Sequence, residues 1–254
     1  MTLETELDAV YVEVQPFRRP DIKRSRSLYV SRDGQFWLSK VEQSPFDFIN
    51  EWVGYHLFRL FSDTKVVVPR VKLGKKNSLG IYFQELMEGG EVDVDKVYGE
   101  VTQRIITLAQ TSPHQYSLLL HLLNGDVDRV ASNYLIRLDG SLVAFDHAGQ
   151  WLRPSYHPKM IMLHPGKSIH LTVNDEALHI IQYLDDPDSF KRYVPAVQQT
   201  FTPEVLNSII QALPHPEEIK KSKLESLVYR RGHLNRLVEA VMDGWTYQTE
   251  FGGK

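Results

Sequence analysis

Gly125-Asp126-Val127-Asp128-Arg129-Val130-Ala131-Ser132-Asn133, followed by Leu138-Asp139-Gly140-Ser141-Leu142-Val143-Ala144-Phe145-Asp146-His147-Ala148-Gly149, is the stretch on which the fold turns. Strand-like Tyr134 to Arg137 and Leu142 to Phe145 flank the turn Leu138-Asp139-Gly140, so a short β-hairpin separates two loops rich in oxygen-bearing side chains. Asp, Asn and Gly are also what ordinary turns prefer, and any one of these aspartates alone reads as a turn residue. The ordered set reads differently. Asp128 and Asn133 lie five positions apart on one loop and Asp146 follows the hairpin. Together they offer hard oxygen ligands for a magnesium ion and a carboxylate to orient an attacking hydroxyl, which is what transfer of a γ-phosphoryl group needs from a protein. Asp128 is then the base or orienting group, and Asn133 and Asp146 are the metal ligands.

The sequence before this stretch favours β structure. Ala9 to Val14 and Ser27 to Lys40 are rich in Tyr, Val, Leu, Phe and Trp, and Arg32-Asp33-Gly34 supplies a hairpin turn. In the strand Gln35 to Val41, successive side chains point to opposite faces, so Phe36, Leu38 and Lys40 share one face. A lysine there either snorkels at a sheet edge or is held in a cleft for an anion. Ser44-Pro45-Phe46-Asp47 reads as a turn with a capping residue, and Ile49, Trp52, Val53, His56, Leu57, Leu60 and Phe61 repeat at helical spacing after it. Val66 to Leu73 and Ile81 to Leu86 are two more β-rich runs. Beyond Glu88-Gly89-Gly90 the pattern turns helical: Tyr98 to Leu123, broken at Thr111-Ser112-Pro113, then Asp175 to Tyr183, Ser189 to Thr200, Pro203 to Leu213 and Leu224 to Trp245.

Composition excludes several classes. With 254 residues, 42% hydrophobic and 24% charged, the chain can bury a sizeable core as one large domain or two lobes. Zero cysteines rule out thiolate catalysis, thiolate metal sites and disulfides, and suit a reducing, cytoplasmic setting. The acidic start lacks the pattern of a signal peptide, and no run approaches the length of a membrane span. A net charge of -3 gives no reason to expect direct nucleic-acid binding. The local basic run Arg18 to Arg26, with Lys23 and Arg24, is either a solvated strand connection or a phosphate-facing loop. His157, His164 and His170 lack metal-ligand spacing, and His147, next to Asp146, reads as a loop-shaping residue.

The order Asp-x-x-x-x-Asn, hairpin, apolar residue, Asp is the protein-kinase order. The chain resembles the HipA-like kinase domain, a branch of the protein-kinase-like fold distantly similar to phosphoinositide lipid kinases. The resemblance covers nearly the whole chain and rests on Ser25-Arg26-Ser27, Arg32-Asp33-Gly34-Gln35-Phe36-Trp37-Leu38-Ser39-Lys40, Asn50-Glu51-Trp52, Val68-Pro69-Arg70, Asp128-Arg129 and Phe145-Asp146-His147. It implies an α+β, protein-kinase-like bilobal fold, with a β-rich N-lobe over 1–88 and a mainly helical C-lobe over 89–254. It further implies ATP and Mg2+ as cofactors, with Lys40 on the α- and β-phosphates and Glu51 as its acidic partner. Ser25, Arg26 and Ser27 would lie in the phosphate loop, Glu85 and Leu86 would be a hinge whose main chain meets adenine, and Arg129 would accompany Asp128 in the catalytic stretch.

Two features leave alternatives open. At about 100° per residue Glu51 lies opposite the stripe through Ile49, Val53 and Leu60, so it can reach Lys40 only if the helix is buried on both sides. No glycine occurs between Arg18 and Ser31, where kinases bring backbone amides close to phosphate, and Ala148 stands where the resemblance would put glycine. The readings are therefore an active kinase with a protein acceptor favoured, a lipid or small-molecule kinase, and a pseudokinase or nucleotide-binding adaptor. Autophosphorylation of Ser25, Ser27 or Ser31 would set negative charge where ATP phosphates should sit.

Overall fold

The computed structural model describes residues 6–7, 12–17, 26–31, 34–42, 46–61, 66–74, 81–86, 107, 112–125, 134–137, 141–147 and 187–242. The fold is α+β: an antiparallel sheet with one helix on it, then a mainly helical remainder. Strands β1 (Glu6–Leu7), β2 (Val12–Phe17), β3 (Arg26–Val30), β4 (Phe36–Val41), β6 (Val71–Gly74) and β7 (Ile81–Glu85) form one sheet in the order β1-β6-β7-β4-β3-β2. Only β1, against β6, pairs in parallel. A second sheet has the order β5-β9-β8 and joins β5 (Val66–Val67) to the hairpin β8 (Tyr134–Ile136) and β9 (Leu142–Ala144).

Two differences from the sequence reading trace to proline. The first long strand, Val12–Phe17, runs past the expected end at Val14 and so contains Pro16, while Ala9 to Tyr11 lie outside the described residues. β2 is an edge strand with β3 as its one neighbour, where a missing amide costs no ladder bond to a second strand. The run Val66 to Leu73 is two strands, not one. Pro69 sits between them, and β5 leaves the large sheet to pair in parallel with β9, Val66 against Leu142 and Val67 against Val143.

Helix α1 (Asp47–Leu60) lies at the centre. Its N-cap is Phe46, which has no side chain able to cap; instead Glu42 Oε1 accepts from the Phe48 amide at 3.3 Å. Phe48, Ile49, Trp52, Val53 and Leu57 are all buried, as are the polar Asn50, Glu51 and His56 between them, so the helix is covered on both sides. One side meets Tyr82 of the sheet, and the other packs on two of the helices that follow, α2 (Ser112–Asn124) and α4 (Pro203–Gln211); the remaining helices are α3 (Val194–Thr200, entered through a 3-10 turn at Pro187–Tyr193), α5 (Glu217–Gly232) and α6 (Leu234–Met242). Trp52 fixes the contact, its Nε1 donating to the Ile209 carbonyl at 2.9 Å. One continuous core runs from Phe48 and Tyr82 through Leu119, Leu123, Val197 and Ile210 to Leu237.

The start of α4 follows its sequence signal: Thr202 caps it, accepting from the Val205 amide at 3.4 Å, and Pro203 occupies the first turn. The region expected as one helix from Leu224 to Trp245 is instead α5, beginning at Glu217, and α6, separated at His233. The reading Asp175 to Tyr183 lies outside the described residues. No helix among the described residues is long and apolar enough to cross a membrane.

Candidate active site

β4 carries Lys40 to the face of the sheet that α1 covers. Its register against β7 sets Lys40 beside Tyr82 and Leu38 beside Gln84, on one face, while Trp37 and Ser39 pair with Glu85 and Phe83 on the other. Lys40 is 7% exposed, and its Nζ lies 2.8 Å from Glu51 Oε1 and 3.3 Å from Asp146 Oδ1. The bridge joins a strand, the central helix and the loop after β9. Because α1 is buried all round, Glu51 reaches the lysine from the side opposite the apolar stripe.

Glu51 is completely buried, and its Oε2 has no hydrogen-bond partner among the described residues. A buried carboxylate oxygen without a donor is costly, and marks a place where the site can accept a further donor or cation. Asp146 is 40% exposed and has a φ of 61°, the one positive φ among described non-glycine residues. Aspartate tolerates the left-handed region better than most residues, yet the conformation still costs about 1 kcal/mol. The lysine thus faces two carboxylates, the enclosed one of Glu51 and the 40% exposed one of Asp146, which lies on the open side of the trio. Such a donor set fits a magnesium ion, which is commonly held by one or two carboxylates together with phosphate oxygens. The carboxylates also act on Tyr82: burial first, then Glu51 and Asp146, raises its hydroxyl pKa well above the ordinary value.

His147 holds the Asp146 loop from beneath. It is fully buried, its ring stacks on His121 at 5.5 Å and it meets Phe58 at 5.8 Å. Gly54 makes room for it, since a Cβ there would come within 2.7 Å of the His147 Cγ.

The remaining expected site residues divide into those described and those not. Ser25, Asp128, Arg129 and Asn133 lie outside the described residues. Arg26 and Ser27 begin β3, where their backbone pairs with Phe17 and Pro16. The register Leu28 to Leu38, continued by two residues, sets Arg26 level with Lys40, so the connection from β2 joins β3 at the lysine's end of the sheet. Glu85 ends β7 and Leu86 follows it. The Glu85 carboxylate forms a two-pronged ion pair with Arg70, at 3.0 Å from both Nε and Nη2. Both amides are taken up inside the protein, Glu85 donating to the Arg70 carbonyl and Leu86 to the Phe36 carbonyl, each at 2.8 Å. The Leu86 carbonyl accepts from Gln35 Nε2 at 3.4 Å, so what this edge can offer a base is a carbonyl lone pair rather than an amide. Ser31 is 8% exposed; its hydroxyl donates to the Gln35 carbonyl at 3.0 Å and accepts from Trp37 Nε1 at 3.3 Å, which fastens the β3–β4 turn.

One group of residues escaped the sequence reading. α2 delivers the chain to the segment holding Asp128, and its end is gripped by α5: Lys223 Nζ donates to the Asn124 carbonyl at 2.9 Å and to Asn124 Oδ1 at 3.1 Å, while Arg230 Nε donates to the Leu122 carbonyl at 2.7 Å. Asn124 Nδ2 in turn donates to the Asn50 carbonyl at 3.2 Å, beside Glu51. The signal in the sequence was a helix whose stripe at three- and four-residue spacing, Lys220, Lys223, Leu227 and Arg230, is mostly cationic.

No family model and no curated protein matches the chain. Solved structures do. The proinflammatory kinase CtkA of Helicobacter pylori superposes with a TM-score of 0.53 at 11% identity, over 99% of this chain and all of that one. HipA of Shewanella oneidensis MR-1, from a toxin–antitoxin complex with HipB and operator DNA, also gives 0.53, at 15% identity over 94% of this chain and 67% of that one.

Proposed function

Because the chain has the fold of the HipA-like kinases, we propose that it is a Mg-ATP-dependent phosphotransferase of the serine/threonine type with a protein acceptor. The observation that carries the reading is the placing of Lys40 Nζ between Glu51 and Asp146, a cation and two carboxylates drawn together from three separate elements. In this reading Lys40, braced by Glu51, contacts the nucleotide phosphates. Asp146 and Asn133 hold the metal, Asp128 orients the acceptor hydroxyl and takes its proton, and Arg129 supports that loop. Bound magnesium would supply charge neutralisation on the phosphate oxygens as the terminal phosphoryl group leaves. Ser25, Arg26 and Ser27 would face the phosphates, and the carbonyl side of Glu85 and Leu86 would meet the base. Residues 1–88 and 89–254 are the corresponding lobes, and the cysteine-free composition suits the cytoplasm.

The test is Mg-dependent ATP turnover by the whole chain. We expect it to fall by at least two orders of magnitude in Asp128→Ala and in Asp146→Asn, with each variant folded; full activity in both sinks the reading. The glycine-free stretch between Arg18 and Ser31 favours one alternative, a nucleotide-binding adaptor. Mg-ATP binding seen by calorimetry without phosphate release or transfer would support that instead.

A further inference from the structure

α5 buries Lys220, Lys223, Ser226, Leu227 and Arg230 on one side. Three of these five carry positive charge, where an amphipathic helix would have leucines. Taking an ammonium or guanidinium out of water is costly unless it finds strong acceptors, so the destination of these groups matters. Lys223 and Arg230 are seven residues apart, two helical turns, and therefore lie one above the other. Both end at the last turn of α2, on the carbonyls of Leu122 and Asn124. Those carbonyls have no partner within their own helix and form the negative end of its dipole. The two cations are thus a buried C-terminal cap supplied by another helix.

The grip continues toward the candidate site. Lys223 also fixes the Asn124 side chain, Asn124 donates to the Asn50 carbonyl, and Glu51, the next residue, holds Lys40. On the other side the chain leaves α2 at Gly125 with a φ of 82°, where a Cβ would lie 3.4 Å from the Arg230 guanidinium carbon, and Asp128 follows three residues later. One polar path therefore runs from α5 both to the start of the Asp128 segment and to the helix carrying Glu51.

We propose that Lys223 is a positioning residue for phosphoryl transfer, holding the end of α2, from which the chain continues to Asp128, against the helix that carries Glu51. Its catalytic consequence rests on the phosphotransferase reading; its mechanical one does not.

The experiment compares Lys223→Met, Lys223→Arg and the unaltered chain in two measurements, steady-state Mg-ATP turnover and amide hydrogen exchange. In Lys223→Met we expect kcat to fall about 10- to 100-fold, the range a small misplacement of reacting groups produces, with KM for ATP within about threefold. Exchange across 125–133 should quicken about tenfold or more while 203–211 stays unchanged, and Lys223→Arg should recover most of both. A Lys223→Met protein that is folded, turns over normally and keeps its exchange in 125–133 overturns the proposal. So does one whose kcat falls only in step with its melting temperature. If Lys223→Met does not fold, Asn124→Ala, which leaves Lys223 its main-chain acceptor but cuts the link to Asn50, carries the same expectations and the same refutation. An unaltered chain that turns over no ATP overturns the phosphotransferase reading, and the exchange measurement still decides whether Lys223 holds the segment.

Discussion

Gly54 and His147 are in contact through a missing atom: the Cβ that Gly54 lacks would sit 2.7 Å from the His147 Cγ and 3.0 Å from its Cβ. The central helix and the loop carrying Asp146 can approach only because this position is glycine. His147 is walled in by Phe58 and His121, so its ring has nowhere to retreat. Gly54→Ala should gain a few tenths to about 1 kcal/mol of helix propensity and lose about 1–3 kcal/mol to overpacking, for a net loss. Chemical denaturation would show a lower midpoint, and Mg-ATP turnover should drop because Asp146 moves with its neighbour. A stabilised, fully active Gly54→Ala protein would contradict this account.

The Lys40–Glu51 bridge is buried, so breaking it from one side is expected to cost more than removing it. Lys40→Met leaves Glu51 charged and enclosed, a loss of about 3–5 kcal/mol. In the double variant Lys40→Met with Glu51→Leu, most of that stability should return while ATP turnover stays abolished. Urea denaturation of the three proteins measures the coupling; additive losses in the double variant would show that the two residues act independently.

Asp146 combines a strained backbone with a half-exposed carboxylate. Asp146→Gly relieves the strain and Asp146→Ala does not, so the glycine variant should be the more stable of the two by about 1 kcal/mol. Neither should turn over ATP. Equal stability of the two would mean that the left-handed conformation is relaxed away without cost.

His56, packed between Trp52 and Tyr55, has both ring nitrogens without hydrogen-bond partners among the described residues. Burial, with a smaller contribution from the Arg59 charge, lowers its pKa to about 4. The unfolded chain therefore takes up a proton at this residue first as pH falls from about 6.5, and stability decreases through that window, by about 2 kcal/mol at pH 5 and 3 kcal/mol at pH 4. Denaturation midpoints between pH 7 and 5 should fall for the natural chain and stay flatter for His56→Leu. Parallel pH profiles for the two would remove His56 as the cause.

The alternation of Gln35 to Val41 set Lys40 on one face with Phe36 and Leu38, because strand period is a rigid geometric rule, but it left open whether the lysine lay at an edge or was enclosed, which only the helix packed on that face decides. Asp146 was legible through its order after the hairpin. Glu51 was legible only by resemblance: hydrophobic periodicity assumes one buried face, and α1 has none exposed across its middle turns. α5 was missed in its first two turns because its buried stripe is lysine and arginine, to which a hydrophobic pattern is blind. The hydrogen bonding of the Glu85 and Leu86 amides depends on Arg70 and Phe36, contacts between strands that no local window contains.

Trp52 donates to Ile209, a carbonyl 157 residues further along the chain. On a ribosome, the helix that bears Glu51 is made long before the whole surface that will cover it, and its tryptophan lacks its hydrogen-bond acceptor until residues beyond 209 have emerged. Long-range closure of this kind is slow, and leaves apolar surface open to chaperones in the meantime. It also orders events in time: the helix bearing Glu51 is fully covered only when synthesis has passed α4, so a nascent chain stalled earlier would carry the six-stranded sheet without a settled brace for its lysine.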